Sequence, residues 1–243
     1  MPFDPNDAQS VISYLLGIVT LFMSITCHEY AHGWAAFKMG DSTAKDAGRL
    51  TFNPFRHMDP VGTLLILVGA PIGWAKPVPV NPNNFTGKYR GRRGTVIISL
   101  SGITANLLLA IGAYLLQSVI QVSYAVSGRD PAGWAGNLMV YVLIFCLLMF
   151  YRNIALAIFN LLPVPPLDGF KFISVFLPRS ISIPALRYER QIGLVFFLLI
   201  IVDRAATGGQ MLSTIFTTLQ RPIVWLISTP IDQLAGFILG RTG

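Results

Sequence analysis

VISYLLGIVTLFMSITCHEYAHGWAAF, residues 11–37, is the stretch on which the fold turns. It is apolar for longer than the about 20 helical residues that a hydrocarbon core requires, yet near its end it carries His28, Glu29 and His32. Residues 95–120 and 138–162 are apolar in the same way, on every face. A transmembrane barrel reads instead as roughly ten-residue stretches of alternating polarity, so these runs are spanning helices. Composition agrees, with 53% hydrophobic and 12% charged residues, outside the soluble range. A fourth run, 192–202, reaches spanning length only as 188–204, with Arg190 and Arg204 snorkelling at its ends. The run 61–75 is apolar but interrupted by Gly62, Gly69, Pro71 and Gly73. Irregular backbone at membrane depth must be covered by protein or line a cavity, which predicts a segment that dips in beside the site. Beyond Met211, Pro222 and Pro230 interrupt the chain, leaving a tail that crosses or re-enters. The fold class is therefore an all-α polytopic membrane protein: a helical core of at least four spans, with a re-entrant or extended segment between the first and second.

The net charge of +7 is distributed by loop rather than as a stripe with interleaved aromatics, which argues against nucleic acid as a partner. Lys38, Lys45, Arg49, Arg56, Lys76, Lys88, Arg90, Arg92 and Arg93 stand between the first two clear spans. The next connection holds only Arg129, and Lys171, Arg179, Arg187 and Arg190 follow the third span. The positive-inside rule then places the N-terminus outside and the long first loop in the cytoplasm, in an integral membrane protein of a bacterial inner membrane. The start of the chain has Asp4 and Asp7 but no basic flank, so the first apolar run is expected to stay. Cys27 and Cys146 lie inside apolar runs and read as packing residues. No repeat or long hydrophilic block interrupts what reads as a single domain over 1–243, with a core at 11–205 and a membrane-associated tail at 206–243.

His28, Glu29 and His32 form H-E-x-x-H in a chain with two glutamates and three histidines in all. On a helix this spacing puts two imidazoles on one face, where both reach one zinc, and aims the glutamate at the metal's water. Ionisable groups inside a span cost about 2.5–3.5 kcal/mol each on insertion scales, and metal ligation offsets that cost. Gly33 suits a helix that continues and packs closely. His57 sits in a basic loop and reads as a solvated or interfacial histidine.

Catalytic zinc needs a third protein ligand and an open position. Lys38 stands where a metzincin would place its next histidine. Asp4, Asp7 and Asp130 fall on the opposite side of the membrane, and Asp41, Asp46 and Asp59 in an exposed loop. Asp168 lies just past a span's cytoplasmic end in N-L-L-P-V-P-P-L-D-G, 160–169, whose three prolines are expected to end the helix and fix an extended segment aimed back at the bilayer.

H-E-Y-A-H at 28–32 together with that late motif closely resembles the site-2 protease family of intramembrane metalloproteases, peptidase M50. The resemblance extends to G-R-L-T-F-N-P from Gly48 and G-W-A-K-P-V-P-V-N-P from Gly73, similar to the loop of short bacterial members without a PDZ or CBS domain. It implies that His28, His32 and Asp168 bind one Zn2+ per chain and that Glu29 is the catalytic base. S-G-I-T-A-N at 101–106 looks like the family's G-x-x-x-N signature, with Ile103 where members commonly carry proline. Gly102, Asn106 and Asn160 would then contact substrate or wall the active site. The implied activity is zinc-dependent hydrolysis of peptide bonds in or near transmembrane segments of a membrane-protein substrate, with the active site toward the cytoplasm.

A substrate helix hides its carbonyls, so it must unwind; segment 73–80, with Pro77, Val78 and Pro79, is a candidate edge for it to pair with. Two readings compete with proteolysis. A zinc transporter would show internal repeats and polar groups toward both faces, and a catalytically inactive scaffold that binds membrane helices has no need of the glutamate. Substrate identity, oligomeric state and regulation are not legible.

Overall fold

The computed structural model describes residues 6–70, 73–127 and 133–240. Expectations for Asp4, Pro71, Arg129 and Asp130 fall outside the described residues. The helices are α1 (Ala8–Lys38), α2 (Thr43–Asp46), α3 (Pro60–Leu67), α4 (Arg92–Ser127), α5 (Trp134–Leu161), α6 (Asp168–Ser174), α7 (Arg179–Arg187), α8 (Glu189–Thr207) and α9 (Gln210–Ile238). Among the described residues there is no strand, only an isolated antiparallel bridge between Met58 and Ala75. The chain is an all-α polytopic membrane protein.

Three helices, α1, α4 and α5, are long and apolar enough to cross a membrane, and they form the central bundle. Their outward faces carry exposed Leu15, Val19, Leu108, Val119 and Leu138, while Thr20, Ser24, His28, Ser99, Asn106 and Asn153 are turned inward and buried. In lipid this is the stable arrangement, because polar side chains find partners only inside the bundle. Small residues allow the close approach: Ala36, Ala110 and Ala157 are buried, and Gly33 leaves space for Val78 and Ala44.

The fourth crossing differs from the expected 188–204. α8 is long and apolar enough to cross only when taken together with α9, and the two meet at 111°. Gly208 and Gly209 both adopt left-handed conformations, φ +70° and +85°, which turn the corner at little steric cost. Buried Asp203 fixes the corner by accepting from the Leu212 N–H (3.1 Å) and the Thr207 hydroxyl (2.6 Å). The prolines expected to interrupt the tail do not break it, since α9 runs unbroken through Pro222 and Pro230. Neighbouring helices support it: Phe216, Ile223, Val224 and Ile227 pack on Phe150, Ile154 and Ile158, and the Tyr114 hydroxyl donates to Asp232 Oδ1 at 2.8 Å.

The long first loop is built on Asx-Pro turns. Asn53-Pro54, Asp59-Pro60 and Asn81-Pro82 each use the Asn or Asp side chain to accept the amide two residues on, with proline supplying the helical φ. α3 starts at the second of these and runs along the outside of α1, where the Leu67 carbonyl accepts from the Tyr14 hydroxyl at 2.8 Å. The chain then returns, passing Gly62 so closely that a Cβ there would lie 2.1 Å from the Trp74 carbonyl oxygen. The segment expected to be re-entrant or extended is thus a hairpin with one helical arm, α3, and one irregular returning arm.

Two loop residues contradict their expected exposure. Asp41 is buried, accepting from Asn81 N (2.7 Å), Asn84 Nδ2 (2.8 Å), the Thr43 amide and the Thr43 hydroxyl. Despite burial, which pushes its carboxyl up, these hydrogen bonds hold it below its ordinary value. His57 is buried too, its Nε2–H donating to the Thr51 carbonyl at 2.8 Å. The loop folds into a cap instead of lying in solvent: residues 80–89 close around Met39 and Phe85 beside Asp41, and the returning chain covers His57, whose carbonyl accepts from Lys76 N–H. Arg49 completes it, donating to the Lys76 carbonyl at 2.5 Å.

Candidate metal centre and its cleft

His28 and His32 are successive turns of α1, and the 160–169 connection carries Asp168 back to them. That connection is tighter than the extended segment expected: Val164 N–H returns to Leu162 O, Leu167 N–H to Val164 O, and Asp168 begins α6. Each closure lies within a few residues, so the prolines shape a turn rather than a strand. Gly169 permits it, since a Cβ there would lie 2.1 Å from the Leu161 carbonyl.

His28 Nε2, His32 Nε2 and Asp168 Oδ2 form a nearly equilateral triangle, with sides of 3.0, 3.0 and 3.1 Å. All three residues are buried. Hydrogen bonding fixes the protonation of each ring. His32 Nδ1 faces the Ile98 carbonyl at 2.9 Å, which can only accept, so Nδ1 carries the proton and Nε2 is bare in the neutral ring. For His28 the logic runs along a buried chain. Asn153 Nδ2 must donate to the Met149 carbonyl (2.8 Å), so its Oδ1 accepts from Asn106 Nδ2 (2.7 Å). Asn106 Oδ1 then accepts from His28 Nδ1–H at 2.6 Å. Three lone pairs therefore converge with no proton between them, an arrangement that a cation relieves. Two imidazoles and a carboxylate suit zinc, whose bonds of about 2.0–2.1 Å set tetrahedral ligand edges of about 3.3 Å. Lys171 Nζ donates to Asp168 Oδ1 at 3.2 Å, leaving Oδ2 turned to the centre.

Gly102 lies directly against both rings; a Cβ there would sit 2.5 Å from His28 Cε1 and 2.6 Å from His32 Nε2. Asn106 is fully buried behind His28 and does not line the cleft. Beside the centre is a cavity of about 300 Å3 lined by His28, Glu29, Trp74, Pro77, Asn160 and Phe197, among others. Asn160 donates to Leu156 O on its own helix at 3.0 Å. Glu29 Oε2 accepts from the Val78 N–H at 2.7 Å, which leaves the rest of the carboxylate facing the cavity.

Ser24 and Asn153, which carry the hydrogen-bonded chain, are not singled out by any motif; their signal is only that polar side chains sit at mid-span positions. Arg152, in the middle of α5, has the same signal more strongly.

Comparison with known proteins agrees with this geometry. The model of peptidase family M50 matches residues 16–202. The chain is 41% identical over 194 residues to "Putative zinc metalloprotease YwhC" of Bacillus subtilis (strain 168), covering 79% of this chain and 82% of that one. It is 29% identical over 199 residues to "Putative zinc metalloprotease Rip2" of Mycolicibacterium smegmatis, covering 79% and 68%. A Rip2 of the same description from Mycobacterium tuberculosis (strain H37Rv) matches at 29% over 203 residues, 80% and 70% of the two chains. No solved structure matches. With the matched region running from the first span to α8 and enclosing every residue of the triangle, the chain belongs to peptidase family M50, the site-2 protease family.

Proposed function

We propose that this protein is an intramembrane zinc metalloendopeptidase that hydrolyses peptide bonds in or near the transmembrane segments of other membrane proteins. The observation that carries the reading is the convergence of three bare acceptor atoms beside Glu29, inside a cleft between spanning helices. His28, His32 and Asp168 hold one zinc, which when bound polarises a substrate carbonyl and acidifies a water. Glu29 is the base. Its Oε2 is anchored by the Val78 amide, so Oε1 accepts the proton from the attacking water and passes it to the leaving amine nitrogen as the C–N bond breaks. Both histidines keep their Nδ1 protons throughout, His28 donating to Asn106 Oδ1 and His32 to the Ile98 carbonyl, so neither Nδ1 competes for that proton.

Residues 73–77, Asn160 and α8 wall the substrate cleft. Pairing of an unwound substrate with residues 76–79 is one-sided: Lys76 N–H is taken by the His57 carbonyl, Val78 N–H by Glu29, and Pro77 and Pro79 have none. The substrate must supply the N–H groups, and this segment the carbonyls of residues 77–79, since that of Lys76 already accepts from Arg49. The basic residues of the cap orient this end of the molecule toward the cytoplasm of a bacterial cell, with the N-terminus outside.

The test is substrate trapping in native membranes. Glu29→Gln should retain zinc, accumulate uncut membrane proteins and co-purify with them, whereas His28→Ala and Asp168→Ala should lose the metal. Identical cleavage fragments in wild-type and Glu29→Gln membranes would refute the assignment.

A further inference from the structure

Beyond the metal, the cleft does not end. A second cavity of about 290 Å3 adjoins it, sharing Ile25, Gly73 and Leu156 as lining, and leads away from the cap between α1, the re-entrant hairpin and α5. Its other walls include Ser13, Tyr14, Gly17 and Ile66, and it contains Arg152. The guanidinium lies against the backbone of α1 in the notch left by Gly17, where a Cβ would be 2.8 Å from Nη2. No carboxylate lines this cavity, and no described residue forms an ion pair or hydrogen bond with Arg152. A half-buried guanidinium in the middle of a spanning helix, facing a cavity and lacking a counter-charge, is the usual mark of a ligand site. Arginine presents a planar fork of donors that matches a carboxylate.

Resting on the proteolytic reading above, we propose that Arg152 is a specificity-determining residue that pairs with an aspartate or glutamate side chain of the substrate within the membrane. The spacing follows from α1. Gly17 and Glu29 are twelve residues apart on one helix, a rise of about 18 Å, and an extended chain covers that in about five residues. The acidic side chain therefore stands about five residues from the cleaved bond, on the side facing away from the cap. A lipid-embedded carboxylate is costly to the substrate alone, so the pair also rewards entry into the cleft over staying in lipid.

The test uses full-length protein in phosphatidylcholine vesicles and designed Leu/Ala transmembrane peptides that carry one Asp, or one Asn, at successive positions. Binding is read by energy transfer between labelled protein and labelled peptide. An Asp peptide of the right register should bind at least tenfold tighter than its Asn twin. Arg152→Gln should bring that ratio to one, Arg152→Lys should keep a preference, and Arg152→Glu should transfer it to a Lys peptide. A photoreactive group about five residues from the Asp should label residues 73–77. Equal binding of Asp and Asn peptides at every position, or an Asp preference that survives in Arg152→Gln, overturns the proposal. If Arg152→Gln loses zinc or its unfolding transition, the wild-type comparison and the Lys variant still decide. Because binding is read without cleavage, absence of hydrolysis would sink the protease reading and leave this one testable.

Discussion

His28 illustrates how much a single ring depends on residues that never touch the metal. Its Nδ1 proton is held through Asn106, Asn153 and ultimately the Met149 carbonyl, and that chain dictates which nitrogen faces the centre. Asn106→Ala and Asn153→Ala should each weaken zinc affinity about 10–100-fold, as loss of an outer hydrogen-bond partner does in other metal sites, measurable by competition with a chelator. Gly102→Ala should be worse than either, because the new methyl group occupies ring space. At Asp41 the consequence is one of pH. Its folded-state carboxyl titrates below the ordinary 3.8, so its contribution is complete above about pH 4 and is lost as the pH falls through the lowered value. Asp41→Asn should remove that acid sensitivity from the proteolytic resistance of the loop and cost about 2 kcal/mol at neutral pH. The convergence of His28, His32 and Asp168 beside Glu29 was legible at this scale because H-E-x-x-H and a proline-flanked aspartate are rare in a chain so poor in histidine and glutamate. Asp41 and His57 read as solvated because a polar residue in a polar loop looks so until its partners are known, forty residues away at Asn81 for Asp41 and six away at Thr51 for His57.

Among the elements, the re-entrant hairpin positions Glu29. Its helical arm fixes the return of 73–78 through the Gly62–Trp74 contact, and the return places the Val78 amide on the carboxylate. Gly62→Val should push the arms apart and release Glu29 while leaving the three zinc ligands alone. The expected result is loss of most cleavage with near-normal zinc content, and a variant that loses metal and activity together would contradict this division of labour. The glycines of 61–75 announced an interrupted segment beside the site, whereas its hairpin shape rests on the close Gly62–Trp74 approach, which no local pattern announces. α9 was less legible. Pro222 and Pro230 read as breaks, yet packing against α4 and α5 sustains the helix through both, a tertiary effect that local propensity does not register.

For the molecule as a whole, the three proposed ligands lie where the C-terminal half of α1 and the start of α6 meet the beginning of α4, so one ion would tie together elements separated by more than a hundred residues. Zinc removal should therefore loosen the entire bundle: at free zinc a thousandfold above Kd the ion contributes about 4 kcal/mol. A chelator should lower the thermal unfolding midpoint of the detergent-solubilised protein, and His28→Ala should be indifferent to it. The three-helix core was visible from apolar run length alone, whereas the 111° corner at Gly208–Gly209, which separates α8 from α9, depends on two backbone conformations that hydropathy does not encode. Clustering of the ligands at one end also gives the molecule a built-in polarity that can be read chemically. In liposomes with mixed insertion, a charged chelator unable to permeate should strip the ion rapidly from only those copies whose capped end faces the bulk. The fraction of zinc removed before the vesicles are lysed then measures sidedness directly, with no need for a tag at either terminus.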